Sequence, residues 1–253
     1  MHIPGIPPLP SLDITSEGSQ QGYEAWRQVT ALKRFTNAFV LDPTENKVSA
    51  PQFIRATRGS LFILLGLKKR GFGIGIYNGF GGKVDVGETV ADAALRELQE
   101  ESHLSASLEP CGLLFFVGAG HAHAHHITVF RAHTWQGQPT ETDEMRPEWF
   151  AYPSLEIPST SISSGNNTYP PFPYSAMWKD DPLWIPHLLT DKYFVARVDY
   201  GPVPVPSPGQ TVEPVSDGTG YIVDGTTVDA GMQKWIVGTM SKEEWEASRV
   251  WEV

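Results

Sequence analysis

Residues 82–104 read GKVDVGETVADAALRELQEESHL, and Thr89–Ser102 within them is the clearest helix in the chain. At ~100° per residue, Ala91, Ala94, Leu95 and Leu98 share one arc ~100° wide. Glu97, Glu100 and Glu101 share the adjacent arc. One side of such a helix packs on a sheet while its neighbour presents three carboxylates. Like charges at these spacings repel by a few tenths of a kcal/mol per exposed pair. A hard cation explains the crowding, because Mg²⁺ takes carboxylate, water and phosphate oxygens in octahedral geometry. The Glu-Glu pair alone reads as a solvated acidic face; the segment as a whole does not.

Working outward, the chain has 253 residues, 40% of them apolar, enough for one domain with insertions or appendages. Its formal net charge of −10 gives no bulk attraction for nucleic-acid polymers or anionic membranes. A nucleotide would have to be held locally, through a metal. One cysteine, Cys111, excludes an intramolecular disulfide. The N-terminus lacks a basic segment and a long apolar run, and no apolar stretch is long enough to span a bilayer. The expectation is a cytoplasmic protein, with nuclear or mitochondrial pools as alternatives.

Residues 1–20 are rich in Pro, Gly and Ser and should be extended or poorly ordered. A short helix is predicted over 23–33, around Trp26. Strands are predicted at Phe35–Leu41, Ser60–Leu67, Leu113–Val117, Ile127–Ala132 and Pro147–Ala151. A His-rich turn should join the third and fourth. Residues 42–59 and 153–174 read as loops, and six glycines from Gly71 to Gly82 mark another. A second helix is predicted over Asp180–Thr190, with Pro182 near its first turn. Residues 202–209 form a stiff linker. Strand-like pieces follow at Gly220–Val223 and Trp235–Val237, and Ser248–Val253 should return to the core as a strand. Strands interspersed with two helices argue for an α/β or α+β sandwich.

The segment Gly82–Leu104 matches, position by position, a glycine, five residues, Glu, seven residues, then Arg-Glu-apolar-x-Glu-Glu-x-Gly-apolar. Here those positions are Gly82, Glu88, Arg96, Glu97, Leu98, Glu100, Glu101 and Leu104. Spacing and residue types agree together, and the segment resembles the Nudix box. His103 stands where the box has glycine, a position that suits a left-handed residue ending a helix.

The flanks are similar to one branch of that family, the animal-type 8-oxo-dGTPases or oxidised purine nucleoside triphosphate hydrolases. The runs that carry the resemblance are GLKKRGFGIGIYNGFGGKV at Gly66–Val84, Gly137–Phe150 with its TDEMRPEWF core, and MWKDDPLWIP at Met177–Pro186. The resemblance implies a Nudix α/β/α sandwich with a central mixed sheet over residues 34–201, interrupted by inserted loops at 43–59 and 153–174. Residues 1–33 would be an N-terminal extension, and 202–253 a Pro-rich linker with a C-terminal extension whose last strand returns to the core. It implies metal binding by the Gly81 carbonyl, Glu97, Glu100, Glu101 and Glu144, with Mg²⁺ as the ion and Mn²⁺ as its alternative. Lys68 would lie near the phosphates or ribose. Thr36, Phe72, Asn78, Trp178, Asp180 and Asp181 would form the base pocket. Two positions depart from the branch: Tyr77 replaces Trp, and Asn37 replaces an apolar residue beside Thr36.

The pocket makes chemical sense without the resemblance. Trp178 offers a flat face for a purine. Asn78 offers one acceptor and two donors. Asp180 and Asp181 accept from base N–H groups, and a protonated one also donates. Their bland reading is a pair at a helix N-terminus favoured by the macrodipole. The reaction expected is hydrolysis of an oxidised purine nucleoside triphosphate to the monophosphate and pyrophosphate, by a monomer acting on a small-molecule nucleotide. Glu101 is the first choice of general base and Glu144 the second, with Glu100 a further catalytic candidate; sequence does not separate ligand from base. The alternatives are a Nudix hydrolase for a dinucleoside polyphosphate or a methylated purine nucleotide, a Nudix-fold protein that binds without turnover, and a regulatory protein whose tail recruits a partner. The cluster His121, His123, His125 and His126 reads as a surface loop before a metal site. Trp235, Trp245 and Trp251 read as tail packing, and Cys111 as a small core residue.

Overall fold

The computed structural model describes residues 2–42, 61–71, 73–119, 123–152, 169–201, 208–214, 220–229 and 231–252. Phe72, His121 and most of both expected loops lie outside the described residues. In chain order the first elements are β1 (Asp13–Ser19), β2 (Ala31–Asp42), β3 (Leu61–Lys68), β4 (Tyr77–Asn78), α1 (Val90–Ser102), β5 (Ser105–Ala106), β6 (Glu109–Val117) and β7 (His123–Ala132). There follow β8 (Trp135–Gln136), β9 (Met145–Tyr152), α2 (Asp181–Leu189), β10 (Tyr193–Tyr200), β11 (Val212–Pro214), β12 (Gly220–Val223), β13 (Thr226–Asp229), β14 (Met232–Met240) and α3 (Lys242–Ser248).

The centre is a mixed sheet in the order β1-β14-β10-β6-β7-β2-β3-β4, with β9 also paired to β3. β2 runs parallel to β7, and β10 parallel to β6; the other pairs are antiparallel. Successive strand residues point to opposite faces, and β2 shows the division. Ala38 and Val40 join Phe80 and the α1 residues Val90, Ala93, Ala94 and Leu98 on one face. Phe39 and Leu41 join Trp184, Ile185 and Leu188 of α2 on the other. The two helices therefore cover opposite faces, as expected for an α/β/α sandwich.

Four local expectations change. Residues 23–33 form no helix: Ala31 already begins β2, and the preceding segment crosses the sheet as a strap. Trp26 covers the Arg197 guanidinium at 4.6 Å, and the Arg27 N–H donates to Asp199 at 2.7 Å. Arg197 and Asp199 are themselves a buried ion pair, 3.0 Å apart. A buried pair needs its remaining hydrogen bonds satisfied, and the strap supplies one through the Arg27 carbonyl and the N-terminal segment another through the Pro4 carbonyl. For residues 1–20 the extended alternative holds over β1, which pairs with β14, and the poorly ordered one does not: Ile3, Ile6, Leu9 and Leu12 are buried. The histidines do not make a turn, since His123, His125 and His126 lie within β7 and the last two are buried. The final run is not a strand. Ser241 caps α3 in a capping box with Glu244, Arg249 ends it in the left-handed region, and Val250–Glu252 form a single 3-10 turn. Cover for Val250 comes all the same, because its carbonyl meets His126 Nε2 at 3.0 Å. Trp245 is buried and stacks on Trp251 with ring centres 4.7 Å apart, so the tail tryptophans pack.

Candidate active site

The glycine-rich loop is held against the edge of β2 where β3 no longer pairs with it. The Thr36 N–H donates to the Gly82 carbonyl at 2.9 Å, and Ala38 and Phe80 exchange two backbone hydrogen bonds. A Cβ on Gly81 would stand 2.0 Å from the Thr36 carbonyl oxygen, and one on Gly82 would stand 2.4 Å from Glu97 Oε1. At Gly81 the obstacle is backbone, so only glycine allows that approach to β2, while Gly82 lies against the movable Glu97 carboxylate of α1.

α1 begins at Thr89, whose hydroxyl accepts the Asp92 N–H, and ends at His103 with φ 62° and ψ 20°. Histidine thus takes the left-handed conformation that the box usually gives to glycine. The packing face differs from the predicted arc. Ala91 and Leu95 are exposed, while Val90, Ala93, Ala94, Leu98 and Glu101 are buried. Small Ala93 and Ala94 set the close contact with the sheet, which rotates Glu101 inward with the apolar face.

Glu101 is 3% exposed. Its carboxylate accepts from Lys68 Nζ at 3.0 Å and from the Gly81 N–H at 2.8 Å. The same Lys68 ammonium donates to Glu144 at 2.6 Å, and Arg70 donates to Glu144 at 3.1 Å. Arg96 reaches Glu88 with two hydrogen bonds, at 2.9 and 3.0 Å, Glu97 at 2.7 Å and Glu100 at 3.3 Å. Burial pushes the Glu101 carboxyl up to about 7, against Lys68 and the Gly81 N–H. Burial raises Glu97 too, with Glu100 and Glu144 adding to it against Arg96. The hydrogen bond from Lys68 holds Glu144 below the ordinary carboxylate value. Burial opposes the Lys68 charge, but Glu101 and Glu144 outweigh it and its pKa is raised. Five carboxylates meet three cations here, so two negative charges have no matching cation.

Lys68 and Gly81 join this cluster to a cleft of about 310 Å³, lined also by Thr36, Asn37, Asn78 and Trp178. A deeper recess of about 60 Å³ adjoins it, sharing Asn37, Asn78 and Trp178 and reaching Asp180, Asp181, Trp184 and Tyr200. Asp180 stands at the N-cap of α2 but makes no side-chain cap bond. Its carboxylate turns inward and accepts from Tyr200 Oη at 2.5 Å and Trp184 Nε1 at 2.9 Å. Burial pushes its pKa up against those two donors, which favours the protonated acid. Asp181 accepts the Trp178 N–H at 3.0 Å, which fixes the turn that presents the indole. The macrodipole reading of Asp180 therefore gives way to an inward-facing acid.

Thr36, Lys68, Asn78, Gly81, Trp178, Asp180 and Asp181 thus share one connected space, with Glu97, Glu100, Glu101 and Glu144 at its charged end. Lys68 sits between Glu101 and Glu144. The sequence reading marks Asn37 only as a departure beside Thr36, and misses Trp184 and Tyr200 as recess residues. Tyr200 closes β10, every residue of which is buried, so alternation gives no sign of its direction. Trp184 is a helix residue that reads as core and is core on its other side. His125 also lines the cleft, its ring 5.1 Å from that of Phe35.

A cleft that has acidic α1 side chains at one end and a recess with a flat indole and paired acids at the other suits a charged, aromatic ligand. The NUDIX domain family matches residues 45–167. The chain is 43% identical over 134 residues to the oxidized purine nucleoside triphosphate hydrolase of Danio rerio, an alignment covering 53% of this chain and 75% of that one. It is 42% identical over 139 residues to the protein of the same name from Mus musculus, covering 54% and 78%. A MutT protein of Bacillus halodurans superposes on 67% of this chain and 91% of its own, at 20% identity and a TM-score of 0.45. The chain belongs to the Nudix family of hydrolases.

Enzymes of this family generally work with divalent metal ions. The carboxylate oxygens are of the hard kind such ions take, and the Lys68 ammonium stands as a cation between Glu101 and Glu144, although among the described residues no three acidic, His or Cys side chains converge as a ready ligand set. No helix among the described residues is long and apolar enough to cross a membrane.

Proposed function

We propose that this enzyme hydrolyses oxidised purine nucleoside triphosphates, such as 8-oxo-dGTP and 2-oxo-dATP, to the monophosphate and pyrophosphate. The observation that carries the reading is the connected space itself. A recess lined by Asn78, Asp180 and Asp181 beside Trp178 adjoins the cleft that reaches, at Lys68, the carboxylate of Glu101 on α1. The relatives' names support the same substrate class. Mg²⁺ is the proposed ion, with Mn²⁺ as the alternative, held by Glu97, Glu100, Glu101, Glu144 and the Gly81 carbonyl. When bound, it would neutralise the polyphosphate and lower the pKa of bound water.

The chain's own residues do the rest. Trp178 stacks on the purine with Thr36 beside it, and Phe72, outside the described residues, is the further pocket residue that the resemblance implies. Asp180 and Asp181 exchange hydrogen bonds with the base edge. Lys68 faces the phosphate end. Glu101, with Glu144 as second choice and Glu100 beside them, takes the proton from the attacking water. The water oxygen joins phosphorus, the bond to the pyrophosphate oxygen breaks, and that oxygen leaves with its electron pair. The catalytic core spans 34–201, and the extensions 1–33 and 202–253 add β1 and β14 to its sheet. The enzyme acts on free nucleotides as a monomer in the cytoplasm.

Pyrophosphate release measured side by side on 8-oxo-dGTP, 2-oxo-dATP, dGTP and dCTP tests the reading. Oxidised purines should lead. A kcat/KM for dCTP equal to that for 8-oxo-dGTP would leave the family assignment standing and remove the base pocket.

A further inference from the structure

Asn37 is 7% exposed, lies on β2 beside Thr36, and lines both the cleft and the recess. Its Nδ2 donates to Asn78 Oδ1 at 2.9 Å. The Gly79 N–H donates to the same oxygen, also at 2.9 Å. A backbone N–H has only a donor to give, so the Asn78 atom it meets is the oxygen. The Asn37 atom facing that oxygen is then the amide nitrogen. Both amide orientations are fixed by this chain of logic.

The consequence is a polarity. Asn78 by itself offers either an acceptor or a donor to whatever enters the recess. With its oxygen held by two N–H groups, what remains for the ligand is its NH₂. The arrangement has a cost to stability, because the Asn37 Oδ1 is buried and makes no hydrogen bond among the described residues. An apolar side chain in the same place would leave no such atom. The asparagine is therefore explained by what it does to Asn78.

We infer that Asn37 is a specificity-determining positioning residue. It locks Asn78 as a hydrogen-bond donor, so the site favours purines with a carbonyl at C6 over purines with an amino group there. The inference rests on the base-pocket reading given above. When guanine N1–H and the 2-amino group meet the Asp180–Asp181 pair, the next atom on the same edge is O6, an acceptor matched to the Asn78 NH₂. In the same pose 2-oxo-adenine places its 6-amino group there, donor against donor.

The test is a double-mutant cycle, with kcat/KM measured for 8-oxo-dGTP and 2-oxo-dATP in wild type, Asn37→Leu, Asn78→Ala and the double variant. Asn37→Leu should lower the 8-oxo-dGTP to 2-oxo-dATP ratio about 2- to 12-fold, the worth of one neutral hydrogen bond. In the Asn78→Ala background the same substitution should leave the ratio unchanged. Melting temperature should stay level or rise in Asn37→Leu, and Asn37→Ala, which adds no volume, repeats the measurement if leucine does not fit. An unchanged ratio in the folded Asn37 variants, or an equal drop in the Asn78→Ala background, overturns the inference alone. Wild-type enzyme inactive on both substrates overturns the substrate reading and this inference with it.

Discussion

Replacing Glu101 by glutamine should make the metal-free protein more stable at pH 8 while removing most of its activity. The side chain is buried, and burial lifts its carboxyl from 4.5 to about 7 despite Lys68. A carboxyl raised on folding favours the folded state only while it is protonated. That advantage is full below the unfolded pKa near 4.5 and is gone once pH rises through about 7. At 1.36 kcal/mol per pH unit, the ionised group costs the apo fold about 3 kcal/mol at pH 8. Glutamine keeps the shape, can still accept the Gly81 N–H, and carries no charge to desolvate. At ~2–4 °C per kcal/mol for a chain of this size, the variant should melt about 6–12 °C above wild type at pH 8 in EDTA. At pH 5 the two should agree to within about 1 kcal/mol. Turnover should fall by at least ~10², because charge and proton acceptance are lost together. Differential scanning calorimetry at both pH values, paired with pyrophosphate release, measures both effects. A variant no more stable than wild type at pH 8 in EDTA refutes the desolvation argument. Near-normal turnover with Mg²⁺ removes α1 from the mechanism.

Asp180→Asn and Asp181→Asn should each lower kcat/KM for 8-oxo-dGTP by about one to two orders of magnitude, with metal affinity little changed; full activity in both would displace the base pocket. Deleting much of 155–168 should be tolerated, because the flanking chain already meets itself where the Ala151 N–H donates to the Pro170 carbonyl at 2.9 Å. Loss of soluble protein after that deletion would show the segment to be core structure. Removing residues 210–253 should abolish cooperative unfolding, since β14 lies inside the sheet between β1 and β10 and Trp245 is buried under it. A truncated protein with unchanged melting temperature and activity would make the tail dispensable.

Local order along the chain determined the helix of the site. The spacing from Gly82 to Leu104 depends on neighbours within three or four residues, so α1, its acidic residues and the left-handed end at His103 are legible without the rest of the molecule. The α3 cap is legible in the same way, as Ser241 followed three residues later by Glu244. Which face of α1 is buried was not local. Ala93 and Ala94 pack closer than Leu95 could, and that contact, made with β2 some fifty residues away, turned Glu101 inward. The strap at Trp26 follows from a buried Arg197–Asp199 pair on a strand 170 residues later, which needed hydrogen-bond partners no periodicity announces. The recess is of the same kind. Asn37, Asn78, Asp180 and Tyr200 come from three separate strands and the start of a helix, and each alone has an ordinary reading. Their hydrogen bonds exist only once the sheet has closed, because the partner of a buried polar group is chosen by packing in space, and distance along the chain carries no trace of it.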